Sequence, residues 1–175
     1  MQLLLTKKND FTILKDILLT ITLSILLGLF AKVYIPLFFT PIPLVLQNSI
    51  ALSYVFFFKP RVALGSLLLF VFLGTIGLPF FSNGNHGLNY LLSTNGGYIL
   101  AYFISSVFVL KLKELNKLST FSLAIIAHIM VLAIGSFWLS RFLGISKAFV
   151  LGFLPFIATD IIKSVFIAKL QKEIK

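Results

Sequence analysis

Long apolar runs, separated by short polar or basic breaks, make up most of this chain. Six runs stand out, at about 13–33, 44–58, 62–81, 98–110, 120–139 and 148–170. A helix needs about 20 residues to cross the roughly 30 Å hydrocarbon core of a bilayer. The pattern therefore predicts an all-α integral membrane bundle of six transmembrane helices. We expect residues 1–175 to form a single membrane domain, because the length leaves no room for a second one.

Proline, glycine and asparagine mark two of the breaks. Segment 34–43 (YIPLFFTPIP) contains prolines that cannot continue a helix, so it ends the first run. Segment 82–97 (SNGNHGLNYLLSTNGG) is the longest polar stretch, and its Gly and Asn residues turn readily and offer amide groups. We expect this second loop to reach a ligand.

The composition supports a bilayer as the solvent of this chain. Hydrophobic residues make up 59% of the 175 positions and charged residues 11%, against about half and a quarter in soluble domains. The formal charge is +10, but the basic residues lie between apolar runs and form no base-reading face, which argues against nucleic acid as a partner. Cysteine is absent, so no disulfide framework or thiol nucleophile is expected.

The basic residues also predict an orientation, since Lys and Arg concentrate on the cytoplasmic side. The early Leu run precedes the first charges, which is not the order of a cleavable signal, so we expect the N-terminus to belong to the mature protein. The predicted cytoplasmic set is Lys7, Lys8, Lys15, Lys59, Arg61, Lys111, Lys113, Lys117, Lys169, Lys172 and Lys175, against Lys32, Arg141 and Lys147 outside. Both termini are therefore predicted to be cytoplasmic, and the 34–43 and 82–97 loops external.

Asp160 is the one acidic residue well inside an apolar run, in LPFIATDIIKSVFIAKL, since Asp16 lies at the end of the first run. A charge at mid-membrane costs roughly 2.5 to 3.5 kcal/mol, so it usually faces a partner or a polar cavity. Lys163 lies three positions on, at a neighbouring point of the same helix face. A carboxylate accepts N–H groups and an ammonium donates to carbonyls, which together suit a ligand that carries both kinds of group. The alternative is an ion pair that only packs helices, or a Lys163 that snorkels to the interface.

Four positions within or directly after the 82–97 loop are further candidates for ligand contact. Asn85 offers a donor and an acceptor, although Asn is also an ordinary turn residue. Gly96 and Gly97 permit a tight entry of exposed backbone into the fourth helix, or simply a turn at the membrane boundary. Tyr98 follows them and could serve as an interfacial anchor instead.

Thr20, Ser24 and Gly28 recur every four residues in the first run. Such a stripe of small residues lets another helix approach closely. It could contact a partner protein or pack within the bundle, and the spacing alone fits both.

Enzymatic chemistry finds no support in the sequence. His86 and His128 have no Cys or carboxylate at ligand spacing, so a metal site is not expected. We expect His86 to be a loop residue and His128 a hydrogen-bonded core residue. No Ser-His-Asp order or carboxylate pair is apparent, and the absence of a G-x-x-x-x-G-K-[ST] loop means that ATP-driven uptake would need other subunits. The chain is predicted to bind a ligand rather than transform one.

The order of these features resembles the BioY family, the biotin-binding S components of energy-coupling factor (ECF) transporters. The matching stretches are IPLFFTPIPLVLQNSIAL after the first run, FLGTIGLPFFSNGNHGLNYLLSTNGGY through the third, and GFLPFIATDIIK at the start of the sixth. The resemblance implies high-affinity biotin capture in the bacterial cytoplasmic membrane, with biotin as the transported substrate and no cofactor. The implied partners are a transmembrane coupling protein and two ABC ATPases.

The resemblance also assigns roles to individual residues. Asn85, Asp160 and Lys163 match the family's biotin contacts, and the carboxylate and amide would read the two N–H donors and the carbonyl of the ureido ring. Gly96, Gly97 and Tyr98 match a Gly-Gly-Tyr stretch of the family's pocket. The stripe Thr20, Ser24 and Gly28 matches the face that docks on the coupling protein.

Two departures from the family pattern concern the pocket. The stretch before Tyr98 lacks the family's proline, and Ile99 stands where some members have an Arg that is a candidate for the ligand's carboxylate. Lys163, a backbone N–H or water could hold that carboxylate instead.

Two other functions fit the same residues. A solitary facilitator, or an S component for another vitamin, would share the fold and the pocket. A membrane scaffold without a ligand would use Asp160 and Lys163 only to pack helices.

Overall fold

The structure, a computed structural model, describes residues 2–174, with side chains from residue 10 onward. Lys7, Lys8 and Lys175, which enter the orientation prediction, lie outside the described side chains. Two short antiparallel strands, β1 (Tyr34–Ile35) and β2 (Leu44–Val45), pair after the first helix. The helices are α1 (Gln2–Phe30), α2 (Gln47–Phe57), α3 (Pro60–Thr75), α4 (Gly87–Leu91), α5 (Gly96–Glu114), α6 (Thr120–Leu143), α7 (Ile145–Gly152) and α8 (Leu154–Ile174).

The predicted all-helical membrane architecture is confirmed. Four stretches of the described chain are long and apolar enough to cross a bilayer: Asp10–Phe30, Gly96–Glu114, Thr120–Leu143 and Ile145–Ile174. Helix α3 is apolar but shorter, and α2 has 11 residues. The count of six membrane-crossing helices and the cytoplasmic termini therefore stay predictions.

The last apolar run, predicted as one helix over 148–170, is two helices. Phe153, with φ −117° and ψ −61°, separates α7 from α8. Pro155 has no N–H and so cannot bond the carbonyl four residues back, which favours a break here. The N–H of Phe156 bonds the carbonyl of Phe153, which leaves the Gly152 carbonyl available to another partner.

One end of the bundle carries both long loops, and we call it the loop end. Tyr34 Oη donates to Asn83 Oδ1 at 2.7 Å, which joins segments 31–46 and 76–95. Gln47 Nε2 lies 3.0 Å from the Leu27 carbonyl and 3.2 Å from the Phe80 carbonyl, so it ties α2 to the ends of both neighbouring segments. The indole N–H of Trp138 on α6 donates to the Ser93 carbonyl at 2.9 Å. The two loops thus meet, as the alternating helix directions predict.

The opposite end is held by ion pairs and is called the basic end. Asp16 of α1 pairs with Arg61 and, at 3.2 Å, with Lys59, both at the corner between α2 and α3. Lys113 Nζ donates to the Val55 carbonyl at 2.9 Å. These contacts hold α1 on α3, and α5 on α2, below the polar residues of the core.

Candidate functional site

Asp160 and Lys163 form a buried ion pair on one face of α8. The distance from Lys163 Nζ to Asp160 Oδ1 is 2.9 Å, and the two side chains are 12% and 2% exposed, respectively. The three-residue spacing places both groups on adjacent points of the helix surface, as predicted. Because both are shielded, their attraction is screened far less than that of a surface pair.

Asn48, near the start of α2, and the Val45 carbonyl of β2 complete the contacts of this pair. Lys163 Nζ donates to Val45 O at 2.9 Å and to Asn48 Oδ1 at 3.1 Å. Asn48 Nδ2 donates to Asp160 Oδ1 at 3.2 Å. An ammonium has three N–H donors, so Lys163 uses all of them within the protein.

The second carboxylate oxygen of Asp160 has no partner. Oδ2 is buried and accepts no hydrogen bond from the described residues, whereas Oδ1 accepts two. A buried acceptor left unpaired costs about 1 to 3 kcal/mol, and more when it is charged. The site therefore offers a strong acceptor to a ligand N–H group.

A hydrogen-bonded layer lies behind the ion pair and joins α2, α6 and α8. His128 Nδ1 lies 2.9 Å from the Ala124 carbonyl and 3.0 Å from Ser164 Oγ, and Nε2 lies 2.9 Å from Ser49 Oγ. Ser164 Oγ donates to the Asp160 carbonyl at 2.7 Å. The prediction that His128 is a hydrogen-bonded core residue is confirmed, and this layer restrains the helix segment that carries Asp160.

Asp160 and Lys163 line a cavity of about 40 Å³ at the loop end of the bundle. Its walls include the rings of Tyr98, Tyr102 and Phe156, and peptide segment 42–45 closes another side. A cavity lined by aromatic rings, a carboxylate and an ammonium suits a ligand with a flat polar ring.

Tyr98 lines the cavity and also holds the break between α7 and α8. Its hydroxyl donates to the Gly152 carbonyl at 2.8 Å, the group that the break leaves available, and lies 3.2 Å from Ser136 Oγ. A Cβ at Gly135 would come within 2.1 Å of the ring, and one at Gly152 within 2.2 Å of the hydroxyl. Two glycines thus make room for this tyrosine.

Gly96 and Gly97 begin α5 but do not line the cavity. A Cβ at Gly96 would lie 1.5 Å from the Leu91 carbonyl oxygen, and one at Gly97 2.1 Å from Cβ of Trp138. Both positions need glycine because the Leu91 backbone and the Trp138 side chain come so close. Their contribution to the pocket is to set where α5 and Tyr98 begin.

Asn85 is exposed and lies outside the cavity lining. Its Nδ2 donates to the Ser82 carbonyl at 2.7 Å, and Ser82 does line the cavity. Asn85 is therefore one residue contact removed from the pocket in this structure.

The stripe Thr20, Ser24 and Gly28 faces the interior of the bundle. Ser24 is fully buried, Thr20 lies against Gly65 of α3, and a Cβ at Gly28 would come within 2.5 Å of the Phe80 ring. These contacts are those of the internal-packing alternative that the spacing left open.

Five polar or aromatic residues of the cavity were not predicted: Asn48, Ser82, Asn95, Tyr102 and Phe156. A signal existed for Asn48, because Gln47, Asn48 and Ser49 form a polar triplet at the start of an otherwise apolar helix. Tyr102 lies one helical turn after Tyr98, so the same face of α5 carries both.

A helical membrane bundle with a buried ion pair and an unpaired carboxylate oxygen in a cavity defines a class of membrane proteins that bind a small polar ligand. Among the described residues, no three His, Cys, Asp or Glu side chains come together as a metal site would require. A sequence model described as the BioY family matches residues 4–175. The chain therefore belongs to the BioY family.

Curated relatives share sequence over most of the chain. A probable biotin transporter BioY of Pyrococcus horikoshii is 34% identical over 128 residues, which cover 71% of this chain and 75% of the relative. A probable biotin transporter BioY of Rickettsia prowazekii is 31% identical over 153 residues, covering 85% and 78%. The family prediction made from the motifs is confirmed.

A solved structure shares the fold. The crystal structure of the S-component for biotin from an ECF-type ABC transporter matches with a TM-score of 0.79 at 26% identity, over 94% of this chain and 93% of that one. The likeness thus extends over nearly the whole of both chains.

Proposed function

We propose that this protein captures biotin and takes part in its uptake as the substrate-binding S component of an ECF-type ABC transporter. The observation that carries the proposal is the buried, unpaired Oδ2 of Asp160, a residue that lines a cavity together with Lys163. The names of the BioY relatives and of the solved S-component support biotin as the ligand. The protein is a transporter subunit and not an enzyme, so biotin is its substrate and no cofactor is required.

The ureido ring of biotin matches the polar groups at this site. Its N–H groups are donors, and Asp160 Oδ2 is the acceptor without a partner. Its carbonyl is an acceptor, which an ammonium such as that of Lys163 satisfies well. A carboxylate and an ammonium side by side thus read both kinds of group on one ring.

Entry of the ligand requires a rearrangement at segment 42–45. The cavity of about 40 Å³ is far below the roughly 300 Å³ at which ligand pockets begin. Lys163 has no donor to spare, and of its three acceptors only the Val45 carbonyl belongs to a loop-end strand. We expect the ligand carbonyl to replace Val45 O as that segment moves aside.

The remaining predicted contacts are retained as part of the proposal. Asn85 would reach the ligand only if the turn at Ser82 shifts, since it now bonds the Ser82 carbonyl. Tyr98 would contact the ring directly, while Gly96 and Gly97 place it. Ile99 lines the cavity, so the ligand's carboxylate meets an apolar side chain there, and Lys163, a backbone N–H or water would have to hold it.

The membrane setting follows from charge and from the ECF context. We propose a location in the bacterial cytoplasmic membrane, with six crossings, cytoplasmic termini and the loop end outside. A transmembrane coupling protein and two ABC ATPases would drive uptake. The internal packing of Ser24 and Gly28 means that such a coupling protein would contact other residues of α1, among them the exposed Ile17 and Ile21.

Direct titration tests the substrate. Purified protein in detergent or nanodiscs should bind biotin saturably, and an excess of thiamine or riboflavin should not displace it. Binding of one of those vitamins in place of biotin would overturn the substrate assignment. Uptake that persists in cells lacking the ATPase subunits would favour a solitary facilitator.

A further inference from the structure

Asn48 has only one orientation that fits its surroundings. Its Oδ1 lies 2.8 Å from the backbone N of Ser49 and 3.1 Å from Lys163 Nζ, both of which are donors. An amide nitrogen at that position would place donors against donors. Nδ2 must therefore face Asp160, where it donates to Oδ1 at 3.2 Å.

With this orientation of Asn48, only one of the two Asp160 carboxylate oxygens accepts hydrogen bonds from the described residues. Oδ1 accepts from both Asn48 and Lys163, while Oδ2 accepts from neither. Without the Asn48 amide, Oδ1 would hold a single donor, and the carboxylate would be free to rotate toward Lys163 or to present either oxygen to the cavity.

We propose that Asn48 is a positioning residue for biotin recognition, because its amide occupies Asp160 Oδ1 and so holds Oδ2 toward the ligand. The inference rests on the proposed function and extends it to a residue of α2. Asn48 acts through Asp160, and its amide is also the bridge between Lys163 and the Ser49–His128 layer behind the pair.

Asn48→Asp tests this role because it keeps the shape and replaces the donor with an oxygen that can carry a negative charge. Its second oxygen would lie about 3.2 Å from Asp160 Oδ1, the distance at which Nδ2 now lies. Two carboxylates this close repel each other unless a proton lies between them. With that proton the new side chain donates to Oδ1 as the amide did, and without it the two oxygens repel.

The titratable groups that face position 48 are few. Asp160 and Lys163 come from α8, His128 from α6 through Ser49, and Tyr98 and Tyr102 from α5 along the cavity wall. All five are present in the unchanged protein as well, so its own pH profile records what they contribute.

The experiment measures the biotin dissociation constant of the wild type, Asn48→Asp and Asn48→Ala between about pH 5 and pH 9. The dissociation constant of Asn48→Asp divided by that of the wild type should be near one at the acid end of this range. It should rise about tenfold or more toward the alkaline end. Asn48→Ala should bind about tenfold more weakly at every pH. The control is Asn116→Asp, the same change in an exposed turn at the basic end, whose ratio should stay at one.

A flat Asn48→Asp ratio, with wild-type binding intact, would overturn the inference and leave the proposed function standing. Lack of saturable binding by the wild type would overturn the proposed function and the inference with it. If Asn48→Asp does not fold, infrared spectra of ligand-free Asn48→Ala decide instead. The carboxylate bands that disappear in Asp160→Asn must shift in Asn48→Ala, and unshifted bands would refute the positioning role.

Discussion

Replacement of Asp160 by asparagine separates ligand reading from helix packing. The change conserves shape, and the new side-chain oxygen can still accept from Lys163 and Asn48, as Oδ1 does now. The new Nδ2, however, stands where Oδ2 stood and presents a donor to the ligand's N–H. The packing shape is retained, although Lys163 loses its charged partner and some stability with it, and the acceptor for the ureido ring is lost.

The size of the effect follows from the contact that disappears. A hydrogen bond to a charged acceptor contributes about 1.5 to 3 kcal/mol. Its loss corresponds to a dissociation constant that is roughly 10- to 150-fold larger. The new amide N–H group would also face the N–H group of the ligand, and these two donors repel. We therefore expect Asp160→Asn to bind biotin at least about tenfold more weakly. Equilibrium binding of labelled biotin to the purified protein measures it.

Asp16→Asn is the matched control for this variant. Asp16 is the other buried acidic residue with an ion pair, but its partners Lys59 and Arg61 lie at the basic end. The control should lower the unfolding temperature and leave biotin affinity unchanged. Wild-type affinity in a folded Asp160→Asn protein, or an equal loss in Asp16→Asn, would refute the reasoning and favour a scaffold role for the Asp160 pair.

Three further substitutions probe the pocket and its supports. Lys163→Met should destabilise the fold by about 3 to 5 kcal/mol because Asp160 is left buried and uncompensated. The double variant Lys163→Met/Asp160→Asn should recover the unfolding temperature but not biotin binding. A Lys163→Met protein as stable as the wild type would contradict this. Gly152→Ala should lower both the unfolding temperature and biotin affinity, because its methyl group would meet the Tyr98 hydroxyl at 2.2 Å. An unchanged melting curve would show that the break between α7 and α8 does not need glycine. Ser24→Ala removes a buried hydroxyl that has no hydrogen-bond partner among the described residues. The stability of the protein should therefore stay equal or rise, and biotin uptake in cells should persist. Lost uptake with intact biotin binding would instead support the docking role of the stripe.

The acidic residue in an apolar run was the most informative feature of the sequence. Asp160 stands out because a charge there is costly, and Lys163 follows from helix periodicity alone. Both line the cavity in the structure. The break at Phe153 is less visible in the sequence, and Pro155, which has no N–H, is the one local signal for it.

Contacts between distant segments explain what the sequence left open. Asn48 lies 112 positions from Asp160, and an Asn near the start of an apolar run is as typical of a membrane boundary as of a binding site. Asp16 looked like a residue of the chain end, yet its partners come from a corner more than 40 positions away. The stripe of Thr20, Ser24 and Gly28 fits docking and packing equally by spacing, and only the contacts with Gly65 and Phe80 distinguish them.

Trp138 provides the pocket with a built-in optical reporter. It is the only tryptophan of the chain, and its indole N–H bonds the Ser93 carbonyl, two residues before Asn95 of the cavity wall. The Arg141 guanidinium lies over the face of the ring, 4.4 Å from its centre. Any displacement of the loop end that changes this hydrogen bond or this stacking alters the polarity around a single fluorophore, so the emission of the unlabelled protein belongs to one known position at the mouth of the site.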